Sequence, residues 1–185
     1  MAVPHRQIRA RYTAETVTVY QAYGPEIALR AVEAGRFVAP FKRDRMTWVK
    51  PSFMWMMYRS GWAAKAGQEH VLAIDITRTG FEWALARADS RIGPVRVQWD
   101  PERSLRLSPL PYRSLQLGLS GEAVDRYVDD WTVAITDITP TVHRIHDLVQ
   151  AGAETDAETL LPVERLYPLP PAIASVLGAT WPPTV

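Results

Sequence analysis

The sequence predicts an α+β fold: a single domain with a mixed or split, mostly antiparallel sheet flanked by helices. Two observations carry the fold class. β-prone strings and amphipathic stretches follow one another irregularly, and their connections are too short and varied for a regular doubly wound sheet. No internal repeat is visible. At 185 residues and 20.8 kDa, one core is the natural solution, burying roughly 70% of the unfolded chain's surface. Residues 1–185 are therefore read as one domain, with 151–185 a proline-rich C-terminal segment packed on the body.

The elements follow in order. Thr18–Tyr23 reads as a strand with Val19, Gln21 and Tyr23 on one face and Tyr20 on the other. Pro25 opens a helix with Glu26 in its first turn, and Gly35 closes it. Phe37-Val38 begins a second short strand. Lys50, before Pro51, is extended. A helix runs from Pro51 to Gly61 and is apolar nearly all round, so it should be buried, Trp55 included. Val71–Ile76 reads as a buried strand, 79–88 as a helix, and Val95–Trp99 as a half-buried strand ended by the turn signal Asp100-Pro101. Arg113–Leu119 is a further strand. Ser120 caps a helix to Asp129, Trp131–Ile138 is a strand, and Thr139-Pro140 opens a helix to Val149. Beyond residue 151, one or two short helices and an irregular tail are expected.

Composition excludes several classes. The chain has no cysteine, so it carries no disulfide scaffold, thiol nucleophile, cysteine-bound zinc or iron–sulfur cluster. Its longest apolar run, Phe53–Tyr58, is far below the ~20 residues of a membrane helix. Met1–Arg11 has three arginines and no apolar stretch, so no signal peptide is expected and the protein is read as cytoplasmic. The signatures G-x-S-x-G, Walker A, G-x-G-x-x-G and H-E-x-x-H are missing.

Charge is distributed unevenly. Residues 1–65 hold 11 Lys and Arg against 4 Asp and Glu, and residues 66–185 hold 10 against 16, so +7 and −6 make the net +1. A basic first third favours an anionic partner such as a phosphate-bearing ligand, a dinucleotide or nucleic acid. Neutralisation within one fold explains the same numbers.

The densest segment is 41–62, where aromatic, methionine and basic residues interleave. Much of it fills a core. As a site wall, Trp48, Lys50, Ser52, Tyr58 and Arg59 offer stacking and phosphate contacts, and the helix start at Pro51–Ser52 offers backbone donors. Arg9, Lys50 and Arg59 are expected in one anion site. His143 and His146 share a helix face but lack a third ligand, so no metal is expected. Glu122, in the first turn of a helix that follows a strand, is the carboxylate retained as a candidate catalytic group; a purely helix-stabilising role is its alternative.

The strings Thr18–Tyr23, Arg45–Gly61 and Arg113–Leu119 resemble the signature blocks of the family catalogued as domain of unknown function 4291, over about residues 5–180. More loosely, the layout of Val19–Tyr23, the helix after Pro25, Gly35-Arg36-Phe37, Met46-Thr47-Trp48 and Arg113–Gln116 is similar to the ADP-ribosyltransferase superfamily. That resemblance implies an ADP-ribosyltransferase-like fold and an enzyme moving ADP-ribose from NAD to a protein or nucleic acid. Gln21 stands where the superfamily often has His, and Gln116 or Glu122 is nearest to its Glu. The implied catalytic set is Gln21, Gln116 and Glu122. The implied dinucleotide contacts are Tyr20, Tyr23, Trp48, Lys50 and Ser52, with Arg9, Tyr58 and Arg59 as further binding candidates. Gln21 and Gln116 are expected to face one cleft, with Tyr20 or Tyr23 near it. The alternative is a non-catalytic nucleotide- or nucleic-acid-binding module, supported by the basic first third and its interleaved aromatics.

Overall fold

The computed structural model describes residues 5–89 and 92–180. Expectations for Met1–Pro4 and for the end of the proline-rich tail, 181–185, lie outside these residues. In chain order the elements are β1 (Arg9–Ala10), β2 (Thr16–Tyr23), α1 (Pro25–Ala34), β3 (Thr47–Val49), α2 (Phe53–Ser60), β4 (His70–Thr77), α3 (Arg78–Ala86), β5 (Ala88–Asp89), β6 (Val95–Arg103), β7 (Pro109–Leu119), α4 (Glu122–Arg126), β8 (Thr132–Asp137), α5 (Thr139–Gln150), α6 (Glu154–Thr159), β9 (Arg165–Leu166) and α7 (Pro171–Leu177). The class is α+β, as expected, and the sheet is split. A three-stranded sheet β2-β4-β8 is antiparallel throughout. A four-stranded sheet β3-β7-β6-β5 is antiparallel except for the short β5–β6 pair. β1 pairs with β9, tying the proline-rich segment to the N-terminus.

Alternation along β2 sorts its side chains between two cores. Val17 and Val19 join Leu72, Ile74, Leu115 and Leu117 in the larger core. Tyr20 points the other way, into a second core with Phe53, Met56 and Met57 of α2 and Val142 and Ile145 of α5. The period of 2 in the strand and of 3.6 in the helices is what lets one strand feed both. Inside the larger core, Trp131 lies so close to α3 that a Cβ on Gly80 would come within 2.3 Å of its ring. Only glycine fits there.

Several boundaries differ from expectation. Phe37-Val38 forms no strand; Phe37 is buried against Tyr23, Phe41 and Tyr127. β6 does not stop at Asp100-Pro101 but continues to Arg103, the register shifting between Pro101 and Arg103 to absorb the proline. The helix after Ser120 is capped at Gly121, not by the serine side chain, and after Arg126 it widens into a π turn, Tyr127–Trp131. That widening keeps Tyr127, Val128 and Trp131 all buried. Among the described residues, no helix is long and apolar enough to cross a membrane.

Candidate functional site

The split creates the site. β2 and β3 are adjacent in space but share no ladder. A single bridge joins them, Tyr20 N–H to Lys50 O at 2.7 Å. The Gln21 side chain substitutes for the missing ladder. Its amide nitrogen donates to Thr47 Oγ1 at 2.7 Å and to the Trp48 carbonyl at 3.0 Å, and its oxygen accepts from Tyr127 OH at 2.7 Å. Tyr23 OH adds a 3.2 Å bond with Thr47 Oγ1, and burial pushes that phenol up to about 12. Both amide hydrogens of Gln21 are thus spent inside the protein.

Above this seam lies a cavity of about 620 Å³, lined by Gln21, Tyr23, Trp48, Lys50, Trp55, Arg59 and Gln116, with Lys42 and Arg45 also on its walls. The volume lies within the usual range for small-molecule sites. Gln116 projects from β7 opposite Gln98 of β6. Its amide nitrogen donates to Gln98 Oε1 at 2.8 Å and to Asp100 Oδ2 at 2.5 Å. A carboxylate can only accept, so the nitrogen must face Asp100 and the Gln116 oxygen is left as an acceptor. Two places along β7, Gly118 leaves room for the Trp48 ring, which a Cβ would meet at 2.9 Å. The indole therefore lies against the sheet as part of the cavity wall.

The electrostatics are one-sided. Lys42, Arg45, Lys50 and Arg59 line the cavity, against Glu26 alone among acidic residues. Within the described residues none of these four cations has an ion-pair partner. Internal neutralisation does occur elsewhere: Arg43 forms a two-pronged pair with Asp129 at 2.5 and 2.8 Å, on the surface. Part of the uneven charge is thus neutralised within the fold, and the cavity cations are not part of that neutralisation. Lys50 is 5% exposed and its Nζ sits 4.8 Å from the centre of the Trp55 ring. Burial, aided by Arg59 and opposed by Asp100, brings its amine down to about 7.

Five of the residues expected at this site lie elsewhere. Arg9 does not join Lys50 and Arg59; it donates to the Glu164 carbonyl at 2.9 Å. Ser52 is the N-cap of α2, accepting from Trp55 N–H at 3.1 Å and donating to Glu102 at 2.8 Å. Glu164 accepts from Phe53 N–H at 2.7 Å. The start of α2 is thus covered by the chain's own carboxyls, and the Phe53 and Trp55 N–H groups are already taken. Burial raises both of these acids, Glu164 to about 8. Tyr20 packs edge-on against Phe53 in the second core, and burial holds its phenol well above the ordinary range. Tyr58 is 41% exposed, with the Arg103 guanidinium 3.6 Å from its ring centre. Glu122 is an exposed residue paired with Arg126 at 2.7 Å, one helical turn away, and does not line the cavity.

Other contributors carry no motif. Tyr127 reaches Gln21 across 106 residues; Gln98 and Asp100 fix Gln116 from the neighbouring strand. Only the alternation of Arg96, Gln98 and Asp100 in β6 hints at the latter pair. His143 and His146 gain no third ligand: His146 stacks on Trp62, and no metal-binding group of residues is found among those described.

Fold and site together define an α+β protein with a basic, tryptophan-walled cavity over the seam of a split sheet. The chain belongs to the family described as Domain of unknown function (DUF4291), which matches residues 7–92 and 87–167. No curated protein and no solved structure matches it.

Proposed function

We propose that the chain is an ADP-ribosyltransferase-like enzyme that takes NAD into this cavity and passes ADP-ribose to a protein or nucleic-acid acceptor. The observation that supports this best is the convergence of Gln21, Thr47 and Gln116, from three separate strands, on one cavity whose unpaired cations outnumber its acids. NAD brings two phosphates and two ring systems. Lys42, Arg45 and Arg59 suit the phosphates, and Trp48 and Trp55 suit the rings. Gln116, its amide polarised by Asp100, has an oxygen free to accept from a ribose hydroxyl. As the bond from ribose to nicotinamide breaks, positive charge develops on the sugar, and that oriented oxygen is placed to stabilise it.

One observation favours the non-catalytic alternative, a nucleotide- or nucleic-acid-binding module: the third position is an amide, which cannot act as a base. Label transfer from radiolabelled NAD in cell extract separates the two. The enzyme reading expects labelled acceptor with the wild-type chain and a loss of about a hundredfold with Gln116→Ala. Glu122→Ala should transfer normally, since that residue lies outside the cavity. NAD binding with no transfer in any extract would leave the binding module.

A further inference from the structure

Lys50 combines three features that no other lysine of the chain shares. It is nine-tenths buried yet lines a cavity. Among the described residues it has neither a hydrogen-bond acceptor for its amine nor an ion-pair partner, and Asp100 lies beyond ion-pair distance. Its neighbours are an aromatic face, Trp55, and a second cation, Arg59 on α2. An amine that is desolvated and next to a like charge carries a far larger free-base fraction near neutral pH than an exposed lysine, which is how lysine becomes a nucleophile. The backbone keeps it there: the Lys50 carbonyl accepts from Tyr20 N–H at 2.7 Å, and Pro51 follows.

We propose that Lys50 is a nucleophilic amine that forms a Schiff base with a phosphorylated aldehyde entering this cavity, the phosphate docking on Arg45 and Arg59. The cations specify the phosphate and the uncharged amine specifies the carbonyl. The neutral Nζ adds to the aldehyde carbon, and a proton passes from nitrogen to the former carbonyl oxygen, giving a carbinolamine. Water then leaves and the C=N bond forms, with no change in oxidation state. The Gln116 oxygen, on the same cavity wall, can accept from the carbinolamine hydroxyl. No NAD is needed, so this proposal stands or falls apart from the transferase reading.

The chain has three lysines, Lys42, Lys50 and Lys65, and the other two are exposed, which makes them internal controls. The wild-type protein is incubated near neutral pH with ribose 5-phosphate and cyanoborohydride, which reduces any imine to a stable secondary amine. Mass spectrometry of peptides then locates the adduct. Lys50 should be modified on the order of tenfold or more faster than Lys42 or Lys65, reflecting its larger free-base fraction. Inorganic phosphate should slow that reaction, and unphosphorylated ribose should react more slowly. Lys50→Arg, which keeps a cation without the nucleophile, should bind phosphate and give no adduct at position 50. Equal rates at all three lysines, no adduct at Lys50, or a Lys50 rate indifferent to phosphate would overturn the proposal.

Discussion

Gln21→Ala is expected to destabilise the protein by about 2–5 kcal/mol. The Trp48 carbonyl and Tyr127 OH would each lose their partner in a buried seam, and each such loss costs roughly 1–3 kcal/mol. Thr47 Oγ1 keeps its bond with Tyr23 and softens the effect. Tyr127→Phe removes a single donor and should cost less, about 1–2 kcal/mol. Denaturant midpoints at constant slope measure both. The larger consequence is spatial. β2 and β3 are joined by one backbone bridge, so losing the Gln21 amide should let the two sheets separate where the cavity sits. A change below about 1 kcal/mol for Gln21→Ala would mean that water satisfies the seam.

Trp55→Ala is the second large effect, expected at about 3–5 kcal/mol from cavity formation. The residue is 8% exposed and meets Tyr58 edge-on. It also forms the floor under Lys50, so the variant should lose ligand affinity in proportion beyond its fall in stability. Trp55→Phe tests this separation: it keeps an aromatic face and should recover most of the binding while regaining part of the stability. An unchanged melting temperature for Trp55→Ala would place the side chain outside the packed interior.

What the sequence made legible was local. The alternation of β2 placed Tyr20 opposite Gln21, and the two side chains do enter different environments. Ser52 and Gly61 bound α2, with Gly61 at φ 60° closing it in the left-handed region. The cationic, tryptophan-rich wall came from segment 41–62, but the sequence did not distinguish which face of α2 is core. Phe53 and Met57 turn inward, Met56 reaches both the second core and the cavity, and Trp55 and Arg59 border the cavity.

Most of the residues that lie away from the cavity turn on a partner distant in sequence. Arg9 and Phe53 are bound by Glu164, 155 and 111 residues away, which is why the first turn of α2 holds an internal carboxyl and Arg9 lies outside the cavity lining. Glu122 sat after a strand, where sites are common, but its helix runs along the surface and Arg126 satisfies it. Gln116 is visible as a polar residue on a strand; that Asp100 orients it is not legible where Asp100-Pro101 signals a turn, because the bulge that carries β6 past the proline appears only once β7 is paired beside it.

An anionic nucleotide is proposed to bind in the cavity beside Lys50. Titration calorimetry with NAD across pH, in buffers of different ionisation enthalpy, tests it most directly. Lys50 is brought to about 7 in the free protein. Phosphates beside it favour the charged amine and raise that value in the complex, so protons are taken up on binding. Affinity should be greatest below pH 7 and fall as pH rises through and above that value, with proton uptake largest between the free and bound values. Lys50→Ala should bind more weakly by roughly 1–3 kcal/mol, the worth of one charge-assisted contact, and without this pH dependence. Failure of NAD to bind at any pH, or binding in the wild type with no proton uptake, would contradict the account.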